Sequence, residues 1–252
     1  MSKIISIHSF RGGTGKSNTT ANMAALFAQR GMRVGVVDTD IQSPGIHVLF
    51  KMEEDSMSPS LNDYLWGECD IKDAAHDVTG NVSAQLDGKI FLVPSSIKAG
   101  EIVRILREGY DVGLLTDGFH DLIDDLNLDV LLVDTHPGLN DDTLISVAIS
   151  DAMAIILRPD QQDFQGTSVT VDVARKLNVP NLVLVLNKMP VTFDFDQVRM
   201  TTEQTYGCEV AAIIPHSDEM MILQSAGIFS LHYPDHPVTS ELKRLAKTLI
   251  GA

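Results

Sequence analysis

Cysteine is scarce. Only Cys69 and Cys208 occur, far apart and in no Cys-x-x-Cys pairing. That excludes a disulfide framework, argues against a thiolate metal site and suits a reducing cytosol. No apolar run reaches the ~18 to 20 residues a membrane span needs. The N-terminus runs straight into "KIISIHS" with no signal-peptide pattern, so the expected location is cytoplasmic. Positive charge is the other shortage: 19 Lys and Arg stand against 34 Asp and Glu, for a net charge of −15. A surface this acidic repels phosphate backbones and anionic lipid. From Tyr110 to Leu157 there is no Lys or Arg, while Asp111, Asp117, Asp121, Asp124, Asp125, Asp129, Asp134, Asp141, Asp142 and Asp151 all fall there. The stretch reads as a solvated acidic face or as a dock for a basic partner.

Repeats, low-complexity tracts and long linkers are missing too. What is present is an ordinary globular mix of 44% hydrophobic and 21% charged residues. Short β-branched runs alternate with helical stretches. Strands are expected at 3–9, 33–40, 89–96, 128–138, 151–160, 181–190 and 209–217. Helices are expected after the first strand, ending at Gly31, and at 98–108, 112–126, 140–150, 162–177, 194–206 and 217–226. Continuous apolar strands imply a sheet covered on both faces. The β-α alternation implies an α/β fold, a doubly wound, mostly parallel sheet with helices on both sides. Residues 51–88 break the rhythm. They are polar, with a short apolar helix around Leu61, Tyr64, Leu65 and Trp66, and read as an excursion within a single domain, 1–252.

The stretch "SFRGGTGKSN" carries the chemistry. Gly12, Gly13, Thr14, Gly15, Lys16, Ser17 and Asn18 follow a strand and open a helix, where a phosphate-cradling loop must sit. Glycines let backbone N–H groups turn inward around phosphate, and the helix N-terminus adds positive potential. Lys16 would reach the β and γ phosphates, and the Ser17 hydroxyl would bind Mg²⁺. "VLLVD" ends at Asp134, a carboxylate suited to the Mg²⁺ shell, and the N–H of Gly138 in "THPG" is a candidate sensor of the γ phosphate. "VVDTD" ends with Asp38 and Asp40. Singly, each of these Asp residues reads as a loop carboxylate or helix cap. Together, at the C-terminal ends of two strands beside the glycine loop, they mark a Mg²⁺-nucleotide site.

These motifs together resemble the ParA/MinD family of deviant Walker A ATPases, in the SIMIBI class of P-loop proteins. The likeness runs nearly the whole chain: "RGGTGKS", "VVDTDIQSPG" as switch I, "LLVDTHPG" as Walker B and switch II, "RPDQQDFQGT", "LVLNKMP" and "IPHSDEMMILQSAG". The resemblance implies an ATPase of low intrinsic turnover that closes as an ATP-bound homodimer, with nucleotides sandwiched between the subunits. It makes Arg11, in the position of the family's signature lysine, a cation that reaches the partner's phosphates. Arginine there keeps the charge but is planar and bidentate. Phe10 stands where a strict Walker A loop has glycine. The resemblance makes Asp40 the residue that orients or activates the attacking water, alongside Lys16 and Arg11 in catalysis. It puts Asp38 and Pro44 in switch I, Asp134 and Gly138 at the Mg²⁺ and γ-phosphate sensor, and Ser17, Asp40 and Asp134 around the metal. Asn187 is expected on the adenine, with Pro215, His216 and Ser217 flanking the base. Pro190 stands where a guanine-reading Asp would be, so ATP is favoured over GTP.

The function so implied is a switch. ATP closes the dimer and creates a surface for a cargo or scaffold; hydrolysis, stimulated by a partner protein, reopens it. Its role would be to position or partition a cellular cargo. A basic activator suits the acidic surface, and non-specific DNA binding is disfavoured by it. In "TSELKRLAKTLIGA", Leu242, Leu245, Ala246 and Leu249 share one helix face. That face reads as core packing, with membrane binding the less favoured alternative. A different class, cofactor or metal-centre maturation, is opposed by the spacing of Cys69 and Cys208; His232 and His236 read as structural rather than as a metal pair. A regulatory ATP-binding module with weak catalysis would require Arg11 to impair the site.

Overall fold

The computed structural model describes residues 2–82 and 85–251. Ser83 and Ala84, inside the expected excursion, lie outside the described residues, as do the two ends of the expected 1–252 domain. Among the described residues the strands are β1 (Lys3–His8), β2 (Arg33–Asp38), β3 (His76–Asp77), β4 (Lys89–Val93), β5 (Val130–Asp134), β6 (Ala152–Leu157), β7 (Asn181–Met189) and β8 (Glu209–Pro215). They form one sheet in the order β3-β4-β2-β5-β1-β6-β7-β8. Every pairing is parallel except β3 with β4. The sheet is thus the doubly wound, mostly parallel one expected.

The helices are α1 (Lys16–Ala28), α2 (Ile46–Leu49), α3 (Leu61–Leu65), α4 (Ala99–Glu108), α5 (Gly113–Leu126), α6 (Asp141–Ala148), α7 (Gln161–Lys176), α8 (Phe195–Tyr206), α9 (Asp218–Leu223), α10 (Phe229–His232) and α11 (Pro237–Ile250). Among the described residues the pieces not anticipated are β3, α2 and α10 and two 3₁₀ turns, Glu54–Ser56 and Thr79–Asn81, each of four residues or fewer and too short to show a period. In the excursion, α3 packs Leu61 and Leu65 into the core beside α5, and β3 closes the sheet edge antiparallel to β4.

The strands are apolar throughout because both faces are covered. Ile5, Ile7, Val34, Val36, Leu132 and Ala154 point to the face under α1 and α11. Ile4, Val37, Leu131 and Val133 point to the opposite face, under α5. Met153, Ile155, Leu184 and Leu186 continue that second face under α7 and α8. α1 is buried almost all round, and Ala21, Ala24, Ala25 and Ala28 let its neighbours approach closely.

The terminal helix settles into the core. Leu242, Leu245, Ala246 and Leu249 are all buried, within the cluster that includes α1. Its apolar face is therefore spent on the sheet and is not exposed for a bilayer. Leu245→Ala should cost about 2–5 kcal/mol, the range for emptying a buried leucine site. Denaturant unfolding measures this, and a loss below about 1 kcal/mol would contradict the packing.

Candidate functional site

β1 lies between β5 and β6. From it the chain builds the sheet outward on one side through β2, β4 and β5, then on the other through β6, β7 and β8. Loops at the C-terminal end of β1 therefore diverge, and a crevice opens where such sheets bind ligands.

The glycine loop fills that point. Gly13 and Gly15 have φ of +74° and +105°, backbone that favours glycine. At Gly15 even a methyl group would fall 2.4 Å from Asn187 Nδ2. Gly15 offers no side-chain cap to α1, and the helix's first turn holds no acidic residue. By contrast, Asn140, Asp160 and Asp194 cap α6, α7 and α8 with side-chain oxygens. The exposed N–H groups at the start of α1 are left for an anion.

A cleft of about 850 Å³ opens there. Gly12, Gly13, Gly15, Lys16, Ser17 and Asn18 line it, with Asp40, Ser43, His136, Pro137, Asn187, Lys188, Pro215, His216 and Ser217 around them. Met220, Met221, Gln224 and Ser225 complete the wall beyond β8. Lys16 is only 7% exposed and joins no ion pair among the described residues.

Behind the cleft, Asp38 and Asp134 stand side by side in the β2–β5 register and are both buried. Burial, with the Asp134 charge second, pushes the Asp38 carboxyl well above its usual range. Burial likewise pushes Asp134 up to about 6, against hydrogen bonds from Ser17 and Thr20 and the Lys16 charge. Thr20 Oγ1 donates to Asp134 Oδ1 over 3.1 Å. A hydroxyl and a carboxylate offer only oxygen, the donors Mg²⁺ takes. Two crowded, desolvated carboxylates also create a demand for positive charge, so these residues fit the ion. Without it, the raised value has a sign for stability. The folded state holds the Asp134 proton more tightly than the unfolded chain. The stabilisation is full below 3.8 and is lost as pH rises through about 6. Asp134→Asn should therefore melt higher than the wild type at pH 7.5 in chelator, with the gap closing toward pH 4. A gap that widens on acidification would contradict this origin.

Several expected site residues sit elsewhere than on the cleft wall. Asp38 lies behind it, its Oδ1 accepting from the Asp40 N–H (3.1 Å) and its Oδ2 from the Gly45 N–H (3.3 Å). Thr14 turns inward; Pro44 is half-buried and off the wall. The Gly138 N–H, expected to sense the γ phosphate, donates to the Ser9 carbonyl over 3.1 Å. Asn187, expected on the base, lines the cleft but also braces the loop. Its Nδ2 donates to the Thr14 carbonyl (2.7 Å), and its Oδ1 accepts from the Lys188 N–H (2.8 Å). Lys188 Nζ adds a bond to the Gly13 carbonyl over 3.0 Å. Arg11 does not face the cleft. Its Nη1 lies 3.5 Å from Asp160 and 3.6 Å from Asp163 of its own chain, a pair of carboxylates that Arg158 also holds. Phe10 beside it covers Gly166 of α7, where a Cβ would strike the ring at 1.9 Å. The loop brace by Lys188 and the wall positions of Ser43 and His136 had no local sequence signal; they arise from contacts across the sheet.

A strand, a glycine loop and an uncapped helix start beside an oxygen-lined cation position define a P-loop nucleotide-binding protein. The profile of a family described as an AAA domain matches residues 2–184. The chain belongs to this family, and its fold is that of the MinD-type P-loop ATPases. An uncharacterized ATP-binding protein of Methanocaldococcus jannaschii is 24% identical over 254 residues, spanning 100% of this chain and 89% of that protein. An iron-sulfur cluster carrier protein of Pyrococcus abyssi is 26% identical over 188 residues, spanning 73% of this chain and 60% of the other. The cell division ATPase MinD of Pyrococcus furiosus matches in structure with a TM-score of 0.82 at 23% identity, over 99% of each chain. At that identity the likeness speaks to the fold. Among the described residues no helix is long and apolar enough to cross a membrane.

Proposed function

We propose that this protein is a dimerising ATP switch that positions or partitions a cellular cargo. One observation carries the reading: α1 starts without a cap, and its free N–H groups open on a cleft lined by Lys16, Ser17 and Asp40. The loop N–H groups and Lys16 hold the phosphates. Ser17 and Asp134 would hold Mg²⁺, which would supply positive charge against the phosphates. Asp40 orients the attacking water. Asn187, Pro215, His216 and Ser217 surround the adenine, and the Asn187 amide retains a second N–H beyond its bond to Thr14. ATP binding closes two subunits face to face, and a basic activator protein stimulates an otherwise slow hydrolysis.

In this reading Arg11 works across the dimer interface. It is 40% exposed and its ion pairs are 3.5 and 3.6 Å long. The pair with Asp160 is exposed on both sides and contributes about 0–1 kcal/mol; Asp163 is buried but is also held by Arg158 at 3.1 Å, so it keeps a cation if Arg11 turns to a partner's phosphate. Metal-centre maturation is the second reading, drawn from the iron-sulfur carrier relative. The cysteines oppose it. Cys69 and Cys208 belong to different core clusters, and burial raises both thiols, which disfavours the thiolate a cluster needs. The solution mass of an Asp40→Ala variant with Mg-ATP and Mg-ADP tests the switch. An ATP-only dimer supports it, and a monomer in both states overturns it.

A further inference from the structure

His136 belongs to no role assigned so far, yet it makes one of the shortest side-chain bonds at the cleft. Its Nδ1 lies 2.6 Å from Asp40 Oδ1. A carboxylate can only accept, so Nδ1 carries the proton and the ring donates. Both side chains are mostly buried, at 20% and 15% exposure, and both line the cleft. The Ser43 N–H also donates to Oδ1, over 3.2 Å. Among the described residues no hydrogen bond reaches Asp40 Oδ2. The carboxylate is therefore tied at one oxygen and open at the other.

The backbone that carries the ring is held firmly. Pro137 follows His136 and confines its backbone to extended conformations. Thr143 Oγ1 donates to the His136 carbonyl over 3.3 Å, and Thr143 is itself fixed by the Asn140 cap of α6. On one side of His136, the Thr135 N–H and hydroxyl donate to the Ile7 carbonyl. On the other, Gly138 is bonded to Ser9. The backbone on both sides of the ring is thus anchored to the strand that leads into the phosphate loop and to the residue after it. The Asp40 backbone is fixed as well, its N–H donating to Asp38 Oδ1 and its carbonyl accepting from the Ser43 N–H, which leaves the side-chain torsion. The terminal torsion of an aspartate is broad, so its plane is set by what its oxygens bind.

We infer that His136 is a positioning residue for hydrolysis: by holding Asp40 Oδ1 it turns Oδ2 toward the water that attacks the terminal phosphate. This rests on the reading of Asp40 given above. In the step itself, the water oxygen bonds to the γ phosphorus. The bond from that phosphorus to the ADP oxygen breaks, with its electron pair left on ADP, and the water's proton leaves toward Oδ2 on its way to the phosphate product. His136 touches none of the reacting atoms. Its effect falls on turnover rather than on nucleotide affinity, since misplacing a catalytic group by about 1 Å costs up to about 100-fold.

The test compares His136→Ala, His136→Asn and His136→Gln in steady-state ATP hydrolysis, with Mg-ATP affinity measured separately. The Asn amide nitrogen falls near the histidine Nδ1, whereas the Gln nitrogen falls near Nε2. The expected result is a kcat about 10- to 100-fold lower for Ala and Gln, affinity within about threefold, and kcat restored within about threefold by Asn. Where the Ala variant fails to fold, the Asn–Gln pair carries the comparison alone. Equal rates for Asn and Gln, or a loss that lies wholly in affinity, overturn the inference. Asp40→Ala separates the two layers. Undiminished turnover in Asp40→Ala overturns the reading of Asp40, and with it the premise. Turnover lost in Asp40→Ala but intact in His136→Ala overturns the role of His136 alone.

Discussion

Lys16→Ala is expected to lose ATP binding, with affinity falling at least about 100-fold. Lys16 is a buried ammonium that joins no ion pair among the described residues, on the first residue of a helix whose N–H groups have no side-chain cap. A bare buried cation is costly unless something anionic arrives. Charge-assisted hydrogen bonds are worth about 1.5–3 kcal/mol each, and an ammonium can give two to a β and a γ oxygen. Removing it leaves the glycine loop intact, because the brace from Asn187 and Lys188 to Thr14 and Gly13 is independent of Lys16. Calorimetry with Mg-ATP reads the affinity, and circular dichroism checks the fold. A folded variant that still binds in the micromolar range would remove the phosphate loop from the site.

Asp40→Ala has the second large effect. Hydrolysis should slow by about 100-fold or more, the scale of a positioned acid–base group, while ATP affinity is kept. Affinity survives because Asp40 borders the cleft beside the loop instead of supplying it, and its Oδ1 is already committed to His136 and Ser43. The variant should accumulate in the ATP-bound form. Turnover equal to that of the wild type would remove Asp40 from the reaction.

The sequence made the sheet and the phosphate loop legible because both are local. Apolar runs such as "VLLVD" and "AMAIIL" mark β5 and β6 by themselves, and the glycines from Gly12 to Gly15 declare their conformation by lacking side chains. Spacing in "ELKRLAKTLI" likewise announced the face that α11 buries. What stayed hidden depends on residues far apart in the chain. Asn187 and Thr14 are 173 positions apart, and His136 and Asp40 are 96 apart. Nothing in "DTHPG" says that its histidine will meet the second carboxylate of "DTD", since that meeting follows from β2 lying beside β5. Arg11 is the clearest case of contacts that local sequence does not show. Its charge was legible, but the carboxylates of Asp160 and Asp163 that hold it come from the start of α7.

The acidic run from Tyr110 to Leu157 also takes a definite form. Asp117, Asp121, Asp124 and Asp125 all lie exposed on α5, with only the Lys72–Asp125 pair, 3.8 Å long, against them among the described residues. That surface is charged and solvated, suited in sign to a basic activator.

The central claim is that ATP joins two subunits through Arg11. The measurement that tests it most directly is the solution mass of Asp40→Ala with Mg-ATP and with Mg-ADP, repeated after adding Arg11→Ala. A dimer with Mg-ATP alone, lost when Arg11 is removed while ATP still binds, is the expected result. A monomer in every state, or an ATP dimer indifferent to Arg11→Ala, would contradict it.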